Sequence, residues 1–204
     1  MAGGGSEADG YVGMEMVARR NQGPKLAMSA EKTLAIVLRT VEFSETSLIV
    51  SLFTEDFGKI SAIAKGARRP KGPFDAALDL LAICRVVFLP KPSGSLDLLT
   101  EAKLERRFRA ATRSLPALNA GYYVAELLRE LTDEHDPHPE LFQLAIATLV
   151  ALDEQGENPD PIARVLHFEL AALRLLGHLP ALDQCAGCGR DVEQSGRIPF
   201  GLIA

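Results

Sequence analysis

Several residue types are scarce or missing, and each absence narrows what the protein can be. The chain has no tryptophan, and only three of its 204 residues are cysteine. Cysteines at 84, 185 and 188 do not make the framework of a disulfide-stapled secreted domain, so we expect a reducing, cytoplasmic setting. No apolar run reaches the roughly 18–20 residues that span a bilayer, and the first residues do not resemble a secretory signal. We therefore expect no membrane contact.

Catalytic constellations are also missing. The sequence contains no phosphate-binding glycine loop, no nucleophile beside a base and no suggestive pair of carboxylates. The segment 133–140 holds His135 and His138 among four acids, but their spacing matches no particular metal site. His167 lies within an apolar helical pattern and is expected to be structural. We therefore predict that the protein is not an enzyme.

Charge is distributed unevenly along the chain. The net charge is −5 overall, +4 over residues 31–113 and −9 over residues 114–204. Such asymmetry indicates two modules, a basic one for a polyanion and an acidic one for protein contacts or solvent. The pattern predicts four segments: a disordered lead-in, a β-rich module, a helical module and a terminal cysteine segment, at 1–30, 31–105, 106–182 and 183–204.

The most unusual stretch is residues 59–72, KISAIAKGARRPKG, which has five positive charges and no acid. It begins as an alternating strand and ends in a loop that holds four of the cations. We predict that this loop contacts an anion; a merely solvated loop is the alternative. The candidate contacts are Lys65, Arg68, Arg69 and Lys71.

A second basic cluster follows within residues 103–113, KLERRFRAATR. We expect this segment to enter a helix, in which Arg106, Arg109 and Arg113 would share one face. It either extends the anion-binding surface or forms a solvated face with neighbouring acids. Arg106, Arg107 and Arg109, together with Arg39 on the first strand, are the secondary candidates.

Between residues 31 and 104 the sequence indicates strands: residues 34–39 and 59–65 alternate with a period of two, and 47–53 is an apolar, β-branched run. Five short strands with a small helical insert after the third are typical of an OB-type barrel, with an SH3-like barrel as the alternative. OB barrels bind single-stranded nucleic acid across strands 2 and 3, combining backbone charge with stacking side chains. The candidate stacking residues, for each of which packing in the core or a turn is the favoured interpretation, are Phe43, Phe53, Phe57 and Phe74. The predicted strands are 34–38, 47–53, 59–65, 81–89 and 96–104, and the insert is 74–81.

Three amphipathic helices are predicted beyond residue 114, with starts at 114–116, 138–139 and 158–161. Ser114 is expected to cap the first helix and Gly177 to end the third. The third is expected to turn Ile162, Val165, Leu166, Leu170, Leu173 and Leu176 inward, and the first Leu118, Tyr122, Ala125, Leu128 and Leu131. The predicted fold class is α+β, a five-stranded OB barrel followed by an all-helical domain.

Cys185-Ala-Gly-Cys188-Gly189 has the form of a zinc knuckle, in which two thiolates share one tight turn. A structural zinc site needs four ligands, and no second C-x-x-C follows within the sequence. Cys185 and Cys188 are therefore half of a zinc site. We predict zinc in a form that supplies the other half and none in this chain alone.

Residues 33–72, TLAIVLRTVEFSETSLIVSLFTEDFGKISAIAKGARRPKG, and residues 177–190, GHLPALDQCAGCGR, resemble the RecO family of bacterial DNA repair proteins. The resemblance implies an OB fold, a helical domain and a C-x-x-C…C-x-x-C zinc element. It also implies a cytoplasmic, nucleoid-associated recombination mediator that binds single- and double-stranded DNA and anneals complementary strands. Lys65, Arg68, Arg69 and Lys71 match the family's basic loop.

The resemblance further implies three protein partners. These are RecR, the acidic tail of single-stranded DNA-binding protein and, indirectly, RecA, which is loaded on coated DNA. Two other classes stay open from the residues alone: a protein–protein adaptor whose helical domain captures an acidic tail, and an RNA-binding barrel.

Overall fold

A computed structural model describes residues 29–69, 72–74, 77–92, 95–110, 113–154, 160–179, 181, 183–185 and 187–192. The predicted lead-in at 1–28 and the segment 193–204 lie outside these residues. Five strands form a closed barrel in the order β1-β2-β3-β5-β4. They are β1 Glu31–Glu42, β2 Leu48–Thr54, β3 Gly58–Ala64, β4 Ile83–Leu89 and β5 Asp97–Arg106.

The strand order decides between the two predicted barrels. All neighbouring strands are antiparallel except β3 and β5, which pair in parallel over three residues. A parallel pair needs a long crossover, and the connection from β3 to β5 supplies it, since it comprises residues 65–82, β4 and the residues that follow β4. This topology confirms the OB-type barrel. The barrel interior is filled by alternate residues of every strand, among them Val50, Ile60 and Val86.

The crossover closes the barrel. Phe74, Ala77 and Leu78 are buried in the barrel core, and the Ala77 amide donates to the Phe74 carbonyl at 3.0 Å. The described residues of the predicted helical insert at 74–81 form turns instead of a helix. Their apolar side chains nevertheless belong to the barrel core.

Three helices follow the barrel: α1 Leu115–Leu131, α2 Pro139–Asp153 and α3 Pro161–Leu175. Ser114 caps α1 as predicted, accepting from the Ala117 amide at 3.3 Å. Asp160 caps α3 in the same way. Gly177 follows α3 at φ +75°, as expected of a glycine that ends a helix. No helix in the described ranges is both long and apolar enough to cross a bilayer.

The helices pack against the outside of the barrel. Ile36, Leu38 and Phe53 project from β1 and β2 into a second core that α1 and α2 complete. Phe53 meets Phe142 of α2 with ring centroids 5.9 Å apart. This is why β1 is apolar on both faces in its first half: one face fills the barrel, and the other holds the helices.

Two helix predictions are corrected. On α3, Ile162 is 71% exposed, and Leu166 and Leu170 are also exposed, whereas Phe168 and Ala172 are the buried residues. On α1, Tyr122 is exposed, and the buried face is built from Ala117, Ala120, Gly121, Val124, Ala125 and Leu128. A helical period locates an apolar stripe on a helix but does not show which neighbouring element covers it. The small residues on the buried face of α1 allow its neighbours to pack closely against it.

The first half of β3 is joined to the end of α1 and the α1–α2 connection. The Lys59 ammonium donates to the carbonyls of Arg129 and Thr132 at the end of α1. The His135 amide donates to the Lys59 carbonyl at 2.9 Å, and Ser61 donates to Glu134 at 2.6 Å. Barrel and helices therefore share hydrogen bonds as well as an apolar core.

Candidate nucleic-acid interface

The basic loop begins directly after β3. Gly66 has φ +78°, a left-handed conformation that reverses the chain. The Arg69 amide donates to the Gly66 carbonyl at 3.0 Å, and the Arg68 amide donates to the Thr46 carbonyl at 3.1 Å. The turn thus holds Lys65, Arg68 and Arg69 beside the β1–β2 loop. Lys71, the fourth cation predicted here, lies outside the described residues.

The cations of this loop differ in their partners. Arg68 forms an ion pair with Glu42 at 3.1 Å and donates to the Ser44 carbonyl at 3.4 Å. Lys65 and Arg69 are exposed, and neither has an ion-pair partner in the part of the chain that the structure describes. An exposed ion pair stabilises a fold by only about 0–1 kcal/mol, so Arg68 remains able to exchange its partner. Within the described ranges, Lys65 and Arg69 have no such competitor.

Arg39 joins the same side of the barrel because of a β-bulge. The β1–β2 register shifts between Val37 and Arg39, so Leu38 turns toward the helices while Arg39 also points outward. Arg39 lies opposite Ser51 of β2, which lies opposite Ser61 of β3. Arg39 is exposed and has no ion-pair partner among the described residues.

Of the four candidate stacking residues, one is available. Phe43 is 59% exposed at the start of the β1–β2 loop. Phe53 and Phe74 are buried, and Phe57 packs edge-on against Phe88 with centroids 5.3 Å apart. The other three are therefore structural.

An apolar row on the outer face was not predicted from the sequence. Val41 lies opposite Ile49, Ile49 opposite Ile63, and Ile63 opposite Leu98. Residues directly opposite each other project from the same face, and the adjacent Val50, Ala62 and Leu99 are in the barrel core. The four side chains therefore point outward; Val41 is 40% exposed, and the others are half-buried. Only the strand register, which the sequence leaves open, aligns them.

The second basic cluster is built differently from its prediction. Arg106 is the last residue of β5, and residues 107–109 have no regular structure, so the predicted helical face of Arg106, Arg109 and Arg113 is wrong. β5 extends as far as Arg106, which pairs with Ile83 of β4 after a shift in register. Residue charge alone did not reveal this pairing.

Acids engage the arginines of this cluster. Asp153 is 7% exposed, accepts from the Arg109 amide at 2.6 Å and lies 3.6 Å from the Arg106 guanidinium. Arg107 lies 3.5 Å from Asp79. A buried carboxylate needs its cation, so Arg106 has a structural role at the barrel–helix junction.

The two basic clusters are not contiguous. Ala64, the last residue of β3, lies opposite Leu99, and Arg106 is seven residues further along β5. At about 3.3 Å per residue this places Arg106 roughly 23 Å from the end of β3 along the barrel. The structure thus groups Lys65, Arg68, Arg69 and Arg39 and separates them from Arg106, Arg107 and Arg109.

The cysteine segment forms a tight turn. The Gly189 amide donates to the Cys185 carbonyl at 2.8 Å, and the Cys185 amide donates to the Arg190 carbonyl at 2.7 Å. A hydrogen bond from the Arg190 side chain to Cys188 Sγ, at 3.4 Å, lowers the pKa of the Cys188 thiol, and backbone and Cys185 contacts act in the same direction. Burial raises the pKa of Cys84 to about 12. Cys185 and Cys188 are both free and exposed. The described residues contain no group of three or more His, Cys, Asp or Glu that could hold a metal ion.

Two family models match the chain, one over the barrel and one over the helices. The family model "Recombination protein O N terminal" matches residues 28–108, which contain the barrel. The model "Recombination protein O C terminal" matches residues 113–200, which contain the helices and the cysteine turn.

Three curated relatives share the name DNA repair protein RecO. A protein of Rhodopirellula baltica, named DNA repair protein RecO, is 56% identical over 171 residues, which are 83% of this chain and 62% of that protein. Proteins of the same name from Salinibacter ruber and Halalkalibacterium halodurans are 38% and 34% identical, over 76% and 84% of this chain and 59% and 63% of their own lengths. The chain thus spans about three fifths of the length of these relatives. Together with the barrel and the helices, these matches show that the chain belongs to the recombination protein O (RecO) family of DNA repair proteins.

Proposed function

We propose that the chain binds DNA through the β1–β2–β3 side of its barrel and acts as a non-catalytic recombination mediator. It binds single- and double-stranded DNA and anneals complementary strands. One observation carries the proposal: Lys65, Arg69 and Arg39 are exposed on one side of an OB-type barrel, without ion pairs among the described residues, in a chain of net charge −5. Cations that are not neutralised from within the protein are available to phosphates.

The mechanism is electrostatic. Lysine and arginine side chains neutralise phosphates and release the condensed counterions, which makes binding salt-dependent. Contacts of this kind carry no base information, which suits a protein that anneals any pair of complementary strands. The reaction needs no nucleophile or general base, because pairing of the two strands supplies the free energy.

The protein partners belong to the same proposal. The family resemblance supports action with RecR in loading RecA onto coated single-stranded DNA, and contact with the acidic tail of single-stranded DNA-binding protein.

A salt titration tests the DNA proposal. Three phosphate contacts at about −0.7 each predict a slope of log K against log salt near −2 on single strands, and Lys65→Ala with Arg69→Ala is expected to weaken binding and to flatten the slope by about 1.4. Removal of Arg85 and Lys103, exposed cations paired across β4 and β5, is the matched control and is expected to leave the slope within about 0.5 of the parent.

Two outcomes would refute this assignment. One is an unchanged slope in the Lys65/Arg69 variant; the other is an equal loss in the control. Lys71→Ala, measured in the same assay, tests the remaining cation of the basic loop.

The second candidate function is a protein–protein adaptor, and a groove between α1 and α3 favours it. The groove has a volume of about 430 Å³ and is lined by apolar side chains that include Tyr123, Ile162 and Leu166, with Glu169 as its charged residue. Such a lining fits the apolar end of a peptide. Fluorescence anisotropy with an acidic, apolar-ended peptide separates this function from DNA binding, because Leu166→Ser would weaken peptide binding alone.

We also propose that Cys185 and Cys188 bind zinc where two further thiolate or imidazole ligands join them. The tight turn and the lowered pKa of Cys188 support this, since the thiolate is the ligand form. Metal analysis of a longer form of the protein and of its Cys188→Ser variant tests it; equal zinc content in both would contradict the assignment.

A further inference from the structure

The apolar row of Val41, Ile49, Ile63 and Leu98, together with Phe43, lies beside the unpaired cations. With strands about 4.8 Å apart, the row crosses roughly 14 Å of the sheet surface. Lys65 and Arg69 follow Ile63 at the end of β3, and Arg39 precedes Val41 by two residues on β1. The surface therefore alternates between cationic and apolar parts.

An unpaired DNA strand has the matching chemistry. Its phosphates need cations, and its base faces are flat and apolar. A duplex presents phosphates too, but its base faces are stacked inside the helix. A surface made only for phosphates would have no use for exposed Phe43 and Val41, because apolar side chains in water gain nothing from contact with a charged backbone.

The surrounding charges limit where each part of the strand lies. Glu42 is neutralised by Arg68, whereas Glu45 is exposed in the β1–β2 loop near Phe43. A phosphate beside Phe43 would be repelled by Glu45, whereas a base would not. The phosphates are therefore placed at Lys65, Arg69 and Arg39, and the bases at Phe43 and the apolar row.

We propose that this outer face is a base-contacting platform that makes the barrel selective for unpaired strands, with Phe43 as the stacking residue and the row of Val41, Ile49 and Ile63 as its aliphatic floor. The inference rests on the proposed DNA binding and adds to it the substrate form, single-stranded DNA with unstacked bases.

The test uses the full chain and three probes of equal length: a thymidine oligonucleotide, an abasic oligonucleotide with the same backbone, and a duplex. Phe43→Ala is expected to weaken binding to the thymidine strand by about fivefold to a hundredfold, the usual range for one base–aromatic stack. The affinity of the Phe43→Ala variant for the abasic strand and for the duplex is expected to stay within about twofold of the parent. The slope of log K against log salt is expected to be unchanged, because no phosphate contact is lost. Phe43→Trp restores binding.

Leu115→Ala, which removes an exposed leucine at the start of α1, is the matched control and is expected to change none of these values. Ile63→Ser tests the aliphatic floor separately from the aromatic ring.

The outcomes distinguish a failure of the platform from a failure of the proposed DNA binding. Equal losses on all three probes, or thymidine and abasic strands bound equally by the parent, would overturn the platform. So would Phe43→Ala and Ile63→Ser variants that keep full strand binding and lose a protein contact instead. If the parent binds none of the probes, the proposed DNA binding itself fails. If the Lys65/Arg69 variant loses binding while Phe43→Ala does not, only the platform fails.

Discussion

Gly58 offers a direct test of how the barrel is joined to the helices. It has φ +67° in the β2–β3 turn, and a Cβ placed there would lie 2.2 Å from the Asp136 carbonyl oxygen and 2.4 Å from its carbonyl carbon. Both atoms belong to the backbone of the α1–α2 connection. Gly58→Ala therefore requires a shift of that connection and not only a rotamer change.

The expected magnitude has two parts. A left-handed conformation costs an alanine about 1–2 kcal/mol, partly offset by about 0.4–1 kcal/mol from the lower entropy of the unfolded chain. The shift would also disturb the hydrogen bond from the His135 amide to the Lys59 carbonyl, worth about 1 kcal/mol, and packing around it. We expect Gly58→Ala to lower the free energy of unfolding by about 3 kcal/mol.

Gly177→Ala is the matched control. Gly177 has nearly the same φ, +75°, and a Cβ there would meet nothing within 4 Å. Its substitution is expected to cost about 1 kcal/mol, from backbone conformation alone. Urea unfolding of both variants, followed by circular dichroism, gives the difference, expected to be about 2 kcal/mol. Equal destabilisation within about 0.5 kcal/mol would show that the close approach of the two modules is not as described.

Three further predictions follow from the same structure. Lys59→Met should lower the free energy of unfolding by about 2 kcal/mol in urea titrations, because it leaves two carbonyls at the end of α1 without their donor; no change would contradict the junction. Phe142→Ala should cost about 3–5 kcal/mol by removing a ring from the core between barrel and helices, and a loss below about 1 kcal/mol would refute that placement. Alkylation of Cys188 should show its thiolate at a pH below the ordinary thiol pKa, and Arg190→Ala should raise that midpoint, whereas Cys84, with a pKa near 12, should react only on unfolding. Mass spectrometry over a pH series measures this, and identical profiles with and without Arg190 would refute the contact.

Local patterns were sufficient for much of the fold. Alternation and short apolar, β-branched runs located all five strands, because a strand that faces a barrel core places every second residue inward. Ser114 and Gly177 were predicted in their capping roles because those roles depend only on neighbouring backbone. The extension of β5 to Arg106 was missed because a run of arginines resembles a solvated helix face until its partner strand is known.

The local run of positive charge was sufficient to predict the basic loop, with Lys65, Arg68 and Arg69, as a candidate site. Only the tertiary structure decided which of the cations are engaged by acids, since Glu42, Asp79 and Asp153 approach from other elements. It also separated the two basic clusters and exposed Phe43 while burying Phe53 and Phe74. The sequence by itself determined residue types and their local periods. Register, bulges and the docking of helices on the barrel determined which side chains meet, because those contacts join positions far apart along the chain.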